Sequence, residues 1–152
     1  MRGDLVIGTG LGAWRLSWTG AGLCGFRPTG DEASAATGPD WVRQAAARLK
    51  RHLDGEPQDL SELPLDLSGL SPFQRAVAEA LRRTRNWAIT YGDLAALAGR
   101  PGAARAVGRA VRDNPLLVLV PCHRVVGAKG PGGWSAFGSP EVKARLMALD
   151  RL

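Results

Sequence analysis

Residues 90–112, TYGDLAALAGRPGAARAVGRAVR, hold the pattern that decides the fold of the C-terminal half. Thr90 precedes an apolar-periodic stretch, which predicts a capped helix over residues 91–98. The turn at 99–102 contains two glycines and a proline and separates this helix from a second one over about 103–112. Two short helices joined by a tight glycine-containing turn are typical of a helix-turn-helix, although many helical hairpins share the pattern.

The sequence upstream of this pair predicts another helix and, before it, a small sheet. Ser71-Pro72-Phe73-Gln74 has the residues of a capping box with proline in the first turn. Its buried stripe is predicted at Phe73, Val77, Ala80 and Leu81, with Arg75, Arg82, Arg83 and Arg85 outside. Short alternating runs at residues 5–7, 13–18 and 23–26 predict antiparallel strands. A loop over 28–39 and a helix capped by Asp40 follow, with Trp41, Ala45, Leu49 and Leu53 on its inward face. Residues 58–70 are predicted to be an extended linker, and the fold class is α+β.

An apolar run, Leu116–Val120, follows the helix pair and predicts a buried strand or extended segment. It leads directly into Pro121 and Cys122. A glycine-rich loop over 127–138 comes next, and Ser139-Pro140-Glu141 starts the last helix. The inward face of that helix is predicted at Val142, Leu146 and Leu149.

Positive charge is concentrated in the middle of the chain. The net charge is +6, and residues 71–130 carry ten basic against three acidic side chains, whereas residues 1–70 carry seven against nine. Codon bias in a GC-rich genome explains the use of Arg in 17 of the 20 basic positions, but not their clustering. The block therefore favours a polyanionic partner such as nucleic acid.

The remaining composition excludes several classes of protein. Two cysteines, Cys24 and Cys122, make no disulfide framework and suit a reducing compartment. No signal-peptide-like stretch and no apolar window long enough for a bilayer are present, so a cytoplasmic protein without membrane contact is expected. Cys24 and His52 are too few ligands for a structural zinc site.

A lone cysteine after an apolar run is by default a small buried hydrophobe, but the neighbours of Cys122 indicate more. A thiol in apolar surroundings resists ionisation, so a nucleophile here needs a nearby base. His123 is the candidate adjacent in sequence. Adjacent residues on an extended strand face opposite ways, which favours contact through a bend or a bridging water over a direct one.

Pro121-Cys122-His123-Arg124-Val125-Val126 resembles the active-site motif of the O6-alkylguanine-DNA alkyltransferases, or methylated-DNA–protein-cysteine methyltransferases. The segments Ala103–Gly108, Asn114-Pro115, Tyr91–Ala95 and Ser71–Gln74 are similar to the same family at the expected spacing. The resemblance is strong over 71–126 and weak over 1–70. It implies a structural N-terminal domain, 1–70, and a winged helix-turn-helix-like DNA-binding and alkyl-acceptor domain, 71–152.

The resemblance implies direct reversal of DNA damage: O6-alkylguanine in double-stranded DNA is flipped out, and its alkyl group passes irreversibly to Cys122. Such a protein acts once, as a monomer, with no cofactor and no metal. His123 would take the thiol proton through water, Tyr91 would assist the departing guanine, and Asn114 would pin the active-site turn. The plain alternative for Tyr91 is an aromatic side chain that packs on the core. For Arg105, which the resemblance would place in the base stack, the plain alternative is a contact with a DNA phosphate.

The resemblance also assigns the DNA surface and the substrate pocket. Small residues on the second helix would fit the minor groove while Arg105 enters the base stack. The implied DNA-contacting residues are Arg105, Ala104, Gly108, Arg112, Arg124 and Thr90. The implied pocket residues are Val125, Trp134, Ser135 and Ala136.

In the family, a proton relay runs from the cysteine through water and the histidine to a glutamate. This chain departs from that pattern, since Asp150 occupies the position of the glutamate. Asp150 is one methylene shorter, so a displaced carboxylate that slows thiolate formation is expected, and a plain surface acid is the alternative.

Two other functions compete with alkyl transfer. A non-catalytic alkyltransferase-like damage-recognition protein would lack the cysteine that this chain retains. A transcription regulator would need longer side chains on its second helix to read the major groove.

Overall fold

The computed structural model describes residues 2–84, 88–127 and 140–150, and its N-terminal part is a three-stranded antiparallel meander. The strands are β1 (Gly3–Thr9), β2 (Gly12–Thr19) and β3 (Gly22–Pro28). Residue alternation puts Trp14, Leu16 and Trp18 of β2 on one buried face. The Trp14 ring stacks on Phe26 of β3 with a centroid distance of 4.9 Å.

Helix α1 (Asp40–Leu53) packs against β1 and covers the sheet. Its buried residues are Val42, Ala45, Ala46, Leu49, His52 and Leu53. Two predictions for this helix are corrected. Trp41 is only partly buried and Val42 takes the inward position, while the N-cap is Pro39 because the helix already includes Asp40.

The predicted linker 58–70 is part of the packed structure rather than a free connection. The N–H of Leu23 donates to the Pro64 carbonyl, and the N–H of Asp66 donates to the Leu23 carbonyl, both at 2.8 Å. Arg82, predicted to point outward, is partly buried, and its guanidinium donates to the carbonyls of Leu60, Ser61 and Leu63. This segment therefore covers one end of the β3 edge.

The helical half contains α2 (Pro72–Arg83), α3 (Tyr91–Leu97) and α4 (Ala104–Arg112). The predicted capping box at Ser71 and Gln74 is present, with both reciprocal hydrogen bonds. The Thr90 hydroxyl accepts from the N–H of Asp93 and caps α3. Helices α2, α3 and α4 pack on one another as the helix-turn-helix pattern predicted. The α+β fold class is confirmed.

Short elements connect the helical half to the motif around Cys122. A 3₁₀ helix spans Cys122–Arg124, β5 is Val125–Val126, and α5 is Pro140–Asp150. Strand β4 (Ile89–Thr90) pairs in parallel with β5, which joins the start of α3 to the residues after Cys122. One cluster of buried side chains runs through both halves of the chain, and the predicted domain boundary at residue 70 remains a prediction.

Within the described part of the chain, no helix combines the length and apolarity that crossing a membrane requires.

Candidate active site

The apolar run before Cys122 is a compact turn, so the predicted extended strand is wrong. The N–H of Val120 donates to the Leu116 carbonyl at 2.8 Å, and the N–H of Leu119 donates to the Leu117 carbonyl at 2.7 Å. Val118 has φ of 70°, a left-handed conformation that a β-branched residue rarely adopts. All five residues are buried, which accounts for their apolar character without a strand.

Asn114 explains why the run folds back. Its side-chain amide donates to the carbonyls of Leu116 at 3.3 Å and Val120 at 3.1 Å, and its side-chain oxygen accepts from the N–H of Leu116 at 2.9 Å. These bonds replace those that a strand ladder would supply to a buried backbone. The predicted placement of Asn114 beside the active-site turn agrees with this geometry.

The edge of β3 holds the same turn from the other side. The N–H of Phe26 donates to the Pro115 carbonyl at 2.8 Å, and the N–H of Leu117 donates to the Phe26 carbonyl at 3.0 Å. The N-terminal sheet therefore contributes directly to the position of Cys122, a connection that the sequence did not reveal.

Cys122 begins the 3₁₀ helix and is fully buried. Burial raises the pKa of its thiol to about 12, against the opposing effects of a hydrogen bond from Asn114 and the charges of Lys143 and Arg27. The thiol is thus protonated at neutral pH until a base takes its proton. A nucleophilic role requires that base to be built into the site.

His123 is the candidate for such a base, and it lies in the same 3₁₀ helix as Cys122 rather than on a strand. Its Nε2 lies 2.8 Å from Asp150 Oδ2, and its side chain is almost completely buried. Burial lowers the pKa of His123 even though Asp150 opposes that shift, so the imidazole is neutral at pH 7. With the Nε2 proton directed to the carboxylate, Nδ1 carries the lone pair. Among the described residues, none hydrogen-bonds to Nδ1.

Asp150 reaches His123 in spite of its short side chain. Burial opposes its ionisation, but hydrogen bonds from His123 and Arg124, with their charges, lower its pKa to about 2. The carboxylate is therefore ionised and aligned with the imidazole. This contact excludes the alternative of a plain surface acid, and the expected displacement of the shorter side chain is not seen.

Arg124, predicted to contact DNA, faces inward, and that prediction is corrected. Its Nε and Nη2 donate to the two oxygens of Asp150 at 2.8 and 3.2 Å. Its Nη1 donates to the carbonyl and the hydroxyl of Thr84, each at 2.8 Å. With 13% of its side chain exposed, Arg124 ties the end of α2 to the relay carboxylate.

Lys143 of α5 is a residue of the site that the sequence reasoning missed. It is 3% exposed, and its ammonium donates to the Val125 carbonyl at 2.7 Å. Burial lowers its pKa, while the neighbouring Cys122 opposes that shift. The sequence offered one signal for this residue: Lys143 lies seven residues before Asp150, among the apolar positions of the helix. Such a position predicts a buried side chain.

Thr90 and Tyr91 begin the helix-turn-helix, and Tyr91 lies near Cys122. Burial and the nearby Cys122 raise the pKa of Tyr91, which is therefore a neutral hydroxyl able to donate a proton. The Tyr91 ring also faces Gly108 of α4, where a Cβ would lie 3.9 Å from its Cε1 atom. Thr90 is partly buried, and its hydroxyl oxygen caps α3.

Helix α4 presents a basic face to solvent. Val107 and Val111 are buried against the neighbouring helices, whereas Arg105, Arg109 and Arg112 are exposed. The predicted small residues Ala104 and Gly108 lie at half-buried positions on the same helix. This arrangement leaves a face of long cations and short side chains open to a partner.

The predicted substrate pocket is only partly described. Val125 follows the 3₁₀ helix and is buried, with its carbonyl bonded to Lys143. Trp134, Ser135 and Ala136 lie outside the described residues. A cavity of about 820 Å³ borders the relay, with His52, His123, Arg124 and Asp150 in its lining. Because its lining, among the described residues, does not include Cys122, this cavity is distinct from the alkyl-acceptor position.

Comparison with known proteins matches residues 72–152 to the 6-O-methylguanine DNA methyltransferase, DNA binding domain, family. A methylated-DNA–protein-cysteine methyltransferase of Shigella flexneri is 41% identical over 69% of this chain and 60% of that protein. The match thus spans about three fifths of that relative. The mouse protein of the same name is 34% identical over 95% of this chain and 79% of its own length.

Solved structures extend the similarity to the N-terminal half. The crystal structure of Mycobacterium tuberculosis OGT in complex with DNA superposes with a TM-score of 0.80 at 32% identity, covering 97% of this chain and 92% of that one. The resemblance predicted from the sequence is therefore confirmed, and the chain belongs to the methylated-DNA–protein-cysteine methyltransferase family.

Proposed function

We propose that this protein repairs DNA by moving the alkyl group of O6-alkylguanine onto Cys122, once per molecule and irreversibly. The observation that carries the proposal is the orientation of His123. Its Nε2 is held by Asp150 at 2.8 Å, and its Nδ1 hydrogen-bonds to no described residue, so the Nδ1 lone pair is available to accept a proton. A buried histidine with no chemical role would be expected to bond through both ring nitrogens.

The reaction is a displacement at the alkyl carbon. His123 Nδ1 takes the Cys122 thiol proton through a water molecule, and Asp150 stabilises the imidazolium that forms. The thiolate attacks, the carbon–O6 bond breaks, and its electron pair stays with guanine. Tyr91 gives guanine a proton and recovers one from His123 through solvent. The product is a thioether, which has no easy leaving group, so the protein stays alkylated.

The DNA partner fits the basic face of α4. Arg105, Arg109 and Arg112 are exposed cations on one helix, and Tyr91 connects that helix to the cysteine through its contact with Gly108. Arg105 at the first turn would enter the base stack, while Ala104 and Gly108 allow close approach to the minor groove. Cys122 is fully buried, so the base must leave the duplex to reach it. A monomer supplies all of these groups.

The test is the intact mass of the protein after incubation with a duplex that contains one O6-methylguanine, followed by peptide mapping. We expect a gain of one methyl group on Cys122 in the wild type and in Cys24→Ser, and none in Cys122→Ser or with undamaged duplex. Cys24→Ser is the matched control, because Cys24 is the other free thiol.

Tight binding to the damaged duplex without a mass gain would contradict the proposal and indicate a damage-recognition protein. Methyl transfer to Cys24 would contradict the assignment of the acceptor.

A further inference from the structure

Arg27, near the end of β3, differs from the other cations of the N-terminal half in how its charge is balanced. Residues 1–70 carry seven basic and nine acidic side chains. Five of the seven cations form ion pairs with carboxylates: Arg15, Arg43, Arg48, Lys50 and Arg51. The charge of Arg2 acts on the carboxylate of Asp66. Arg27 is exposed, and it forms neither an ion pair nor a side-chain hydrogen bond with any described residue.

The register of the sheet makes this unbalanced charge unfavourable for the fold. Arg27 lies directly opposite Arg15 of β2, so the two side chains share one face of the sheet. Like charges at directly opposite positions destabilise a sheet. Asp4 and Asp31 pair with Arg15, whereas no carboxylate of the described residues pairs with Arg27. An exposed cation in this position indicates an anionic partner outside the chain.

Strand β3 fixes Arg27 next to the active-site turn. The N–H of the preceding residue, Phe26, donates to the Pro115 carbonyl at 2.8 Å, and the Phe26 carbonyl accepts from the N–H of Leu117 at 3.0 Å. Because Phe26 is buried, Arg27 faces the other side of the strand, toward solvent. Burial raises the pKa of the Cys122 thiol, and the charge of Arg27 is among the effects that oppose this rise. The guanidinium therefore lies at the surface, within electrostatic reach of the alkyl acceptor.

The exposed cations of α4 share the property that distinguishes Arg27. Arg105 and Arg109 are exposed, and they too pair with no carboxylate in the described part of the chain. Tyr91, at the start of the helix-turn-helix, is within electrostatic reach of Cys122, as Arg27 is. A duplex that binds α4 and delivers a base to Cys122 has to bring the sugar–phosphate backbone of that nucleotide to the same place. The backbone is therefore the polyanion closest to Arg27.

We propose that Arg27 binds one of the two phosphates that flank the flipped guanine, so that the N-terminal sheet takes part in DNA binding. This inference rests on the proposed alkyl transfer and adds a contact from the other half of the chain. A guanidinium presents several N–H donors in one plane and suits the oxygens of a phosphate. Because every nucleotide carries a phosphate, the contact positions the damaged strand without reading its sequence.

The first measurement is duplex affinity by fluorescence anisotropy, between about 50 and 300 mM salt. The DNA contains one O6-methylguanine, and every protein carries Cys122→Ser so that no alkyl group is transferred. Arg27→Gln removes the charge, and Arg27→Lys keeps it. Arg43→Gln is the matched control, because Arg43 is an exposed cation of the same half that pairs with Asp40 of α1.

We expect Arg27→Gln to bind about tenfold more weakly at 0.1 M salt and to lower the salt slope by about one, the effect of one lost phosphate contact. Arg27→Lys should keep most of the affinity, and Arg43→Gln should keep affinity and slope. Unchanged affinity and slope in Arg27→Gln would overturn the proposal. A marked loss of stability to urea in Arg27→Gln would also overturn it, because the guanidinium would then serve the fold.

Neutral methylphosphonate linkages locate the contact. One linkage is placed on the 5′ side of the O6-methylguanine in one duplex and on the 3′ side in another. At the phosphate that Arg27 binds, the neutral linkage should weaken binding of the Cys122→Ser parent about tenfold and that of Arg27→Gln hardly at all. An equal penalty in both proteins at both linkages would reject the assignment.

These results are independent of the mass test for alkyl transfer. If the wild type gains no methyl group but Arg27 couples to a flanking phosphate, the proposed function fails and this inference stands. If transfer is normal and no coupling is found, this inference fails alone. Absence of duplex binding in both the wild type and Cys122→Ser rejects both.

Discussion

The sheet β1–β3 and the active-site segment 114–126 lie edge to edge and are comparably buried, but different bonds hold them. The sheet satisfies its backbone through regular ladders between strands. The active-site segment relies on individual side chains, above all Asn114, Arg124 and Lys143. A ladder distributes its stability over many equivalent bonds, whereas a side-chain scaffold concentrates it in a few.

The comparison shows why chemistry is found in the less regular region. A strand would turn Cys122 and His123 to opposite faces, whereas in the 3₁₀ helix both side chains are buried. The irregular backbone depends on side chains that also adjust charge, so structure and reactivity share the same residues. Substitutions in the segment should therefore alter function together with stability, whereas those in the sheet should alter stability alone.

The largest expected effect is on the rate of transfer. Asp150→Asn removes the charge that orients and stabilises protonated His123, and we expect transfer to slow about 10²–10³-fold, the range typical of a disabled general base. The measurement is single-turnover methyl transfer at pH 7. Asp150→Glu is the control, and it should bring no gain over the wild type, because Asp150 already contacts His123 at 2.8 Å. A faster Glu variant would show that the shorter side chain impairs the relay.

Substitution of Asn114 tests whether a few side chains hold the active-site segment in place. Asn114→Ala leaves the N–H of Leu116 and the carbonyls of Leu116 and Val120 without their partners, and we expect a loss of about 3 kcal/mol in unfolding free energy. Urea unfolding followed by circular dichroism measures it. Ser71→Ala, which removes one helix cap at an exposed site, is the comparison and should cost about 1 kcal/mol. Similar losses in the two variants would contradict a concentrated scaffold.

Through its bonds to His123 and Arg124, Asp150 also gives the segment a distinctive response to acid. Its pKa falls to about 2 in the folded protein, below the value of about 4 of an unfolded aspartate. A lowered folded pKa contributes stability above pH 4, and this is lost as the pH falls toward 2. We expect wild type to exceed Asp150→Asn by about 2 kcal/mol at pH 6 and the gap to close near pH 2. Urea unfolding across this range measures the gap, and a pH-independent gap would contradict the assignment.

The same comparison explains what the sequence could predict. Repeating patterns revealed the sheet, the helix pair and the Ser71 cap, because alternation, spacing and capping are local properties. The family motif placed Cys122, His123 and Asp150 in one site. The turn at Val118 was missed, because five apolar residues resemble a strand when the bonds that fold them come from Asn114. The inward position of Arg124 was missed because its partners, Thr84 and Asp150, are distant in sequence.

The smallest expected effect tests the turn at Val118, where the sequence predicted a strand or extended segment. Val118 has φ of 70°, where any side chain with a Cβ is strained by about 1 kcal/mol and glycine is not. Val118→Ala and Val118→Gly both lose buried contacts, but only the glycine variant also relieves the strain. We therefore expect Gly to be more stable than Ala by about 1 kcal/mol. In β2 the order reverses, because a strand interior disfavours glycine, so Leu16→Ala should be more stable than Leu16→Gly. Urea unfolding of the four variants gives both differences, and the same order at both positions would mean that Val118 occupies an ordinary extended conformation.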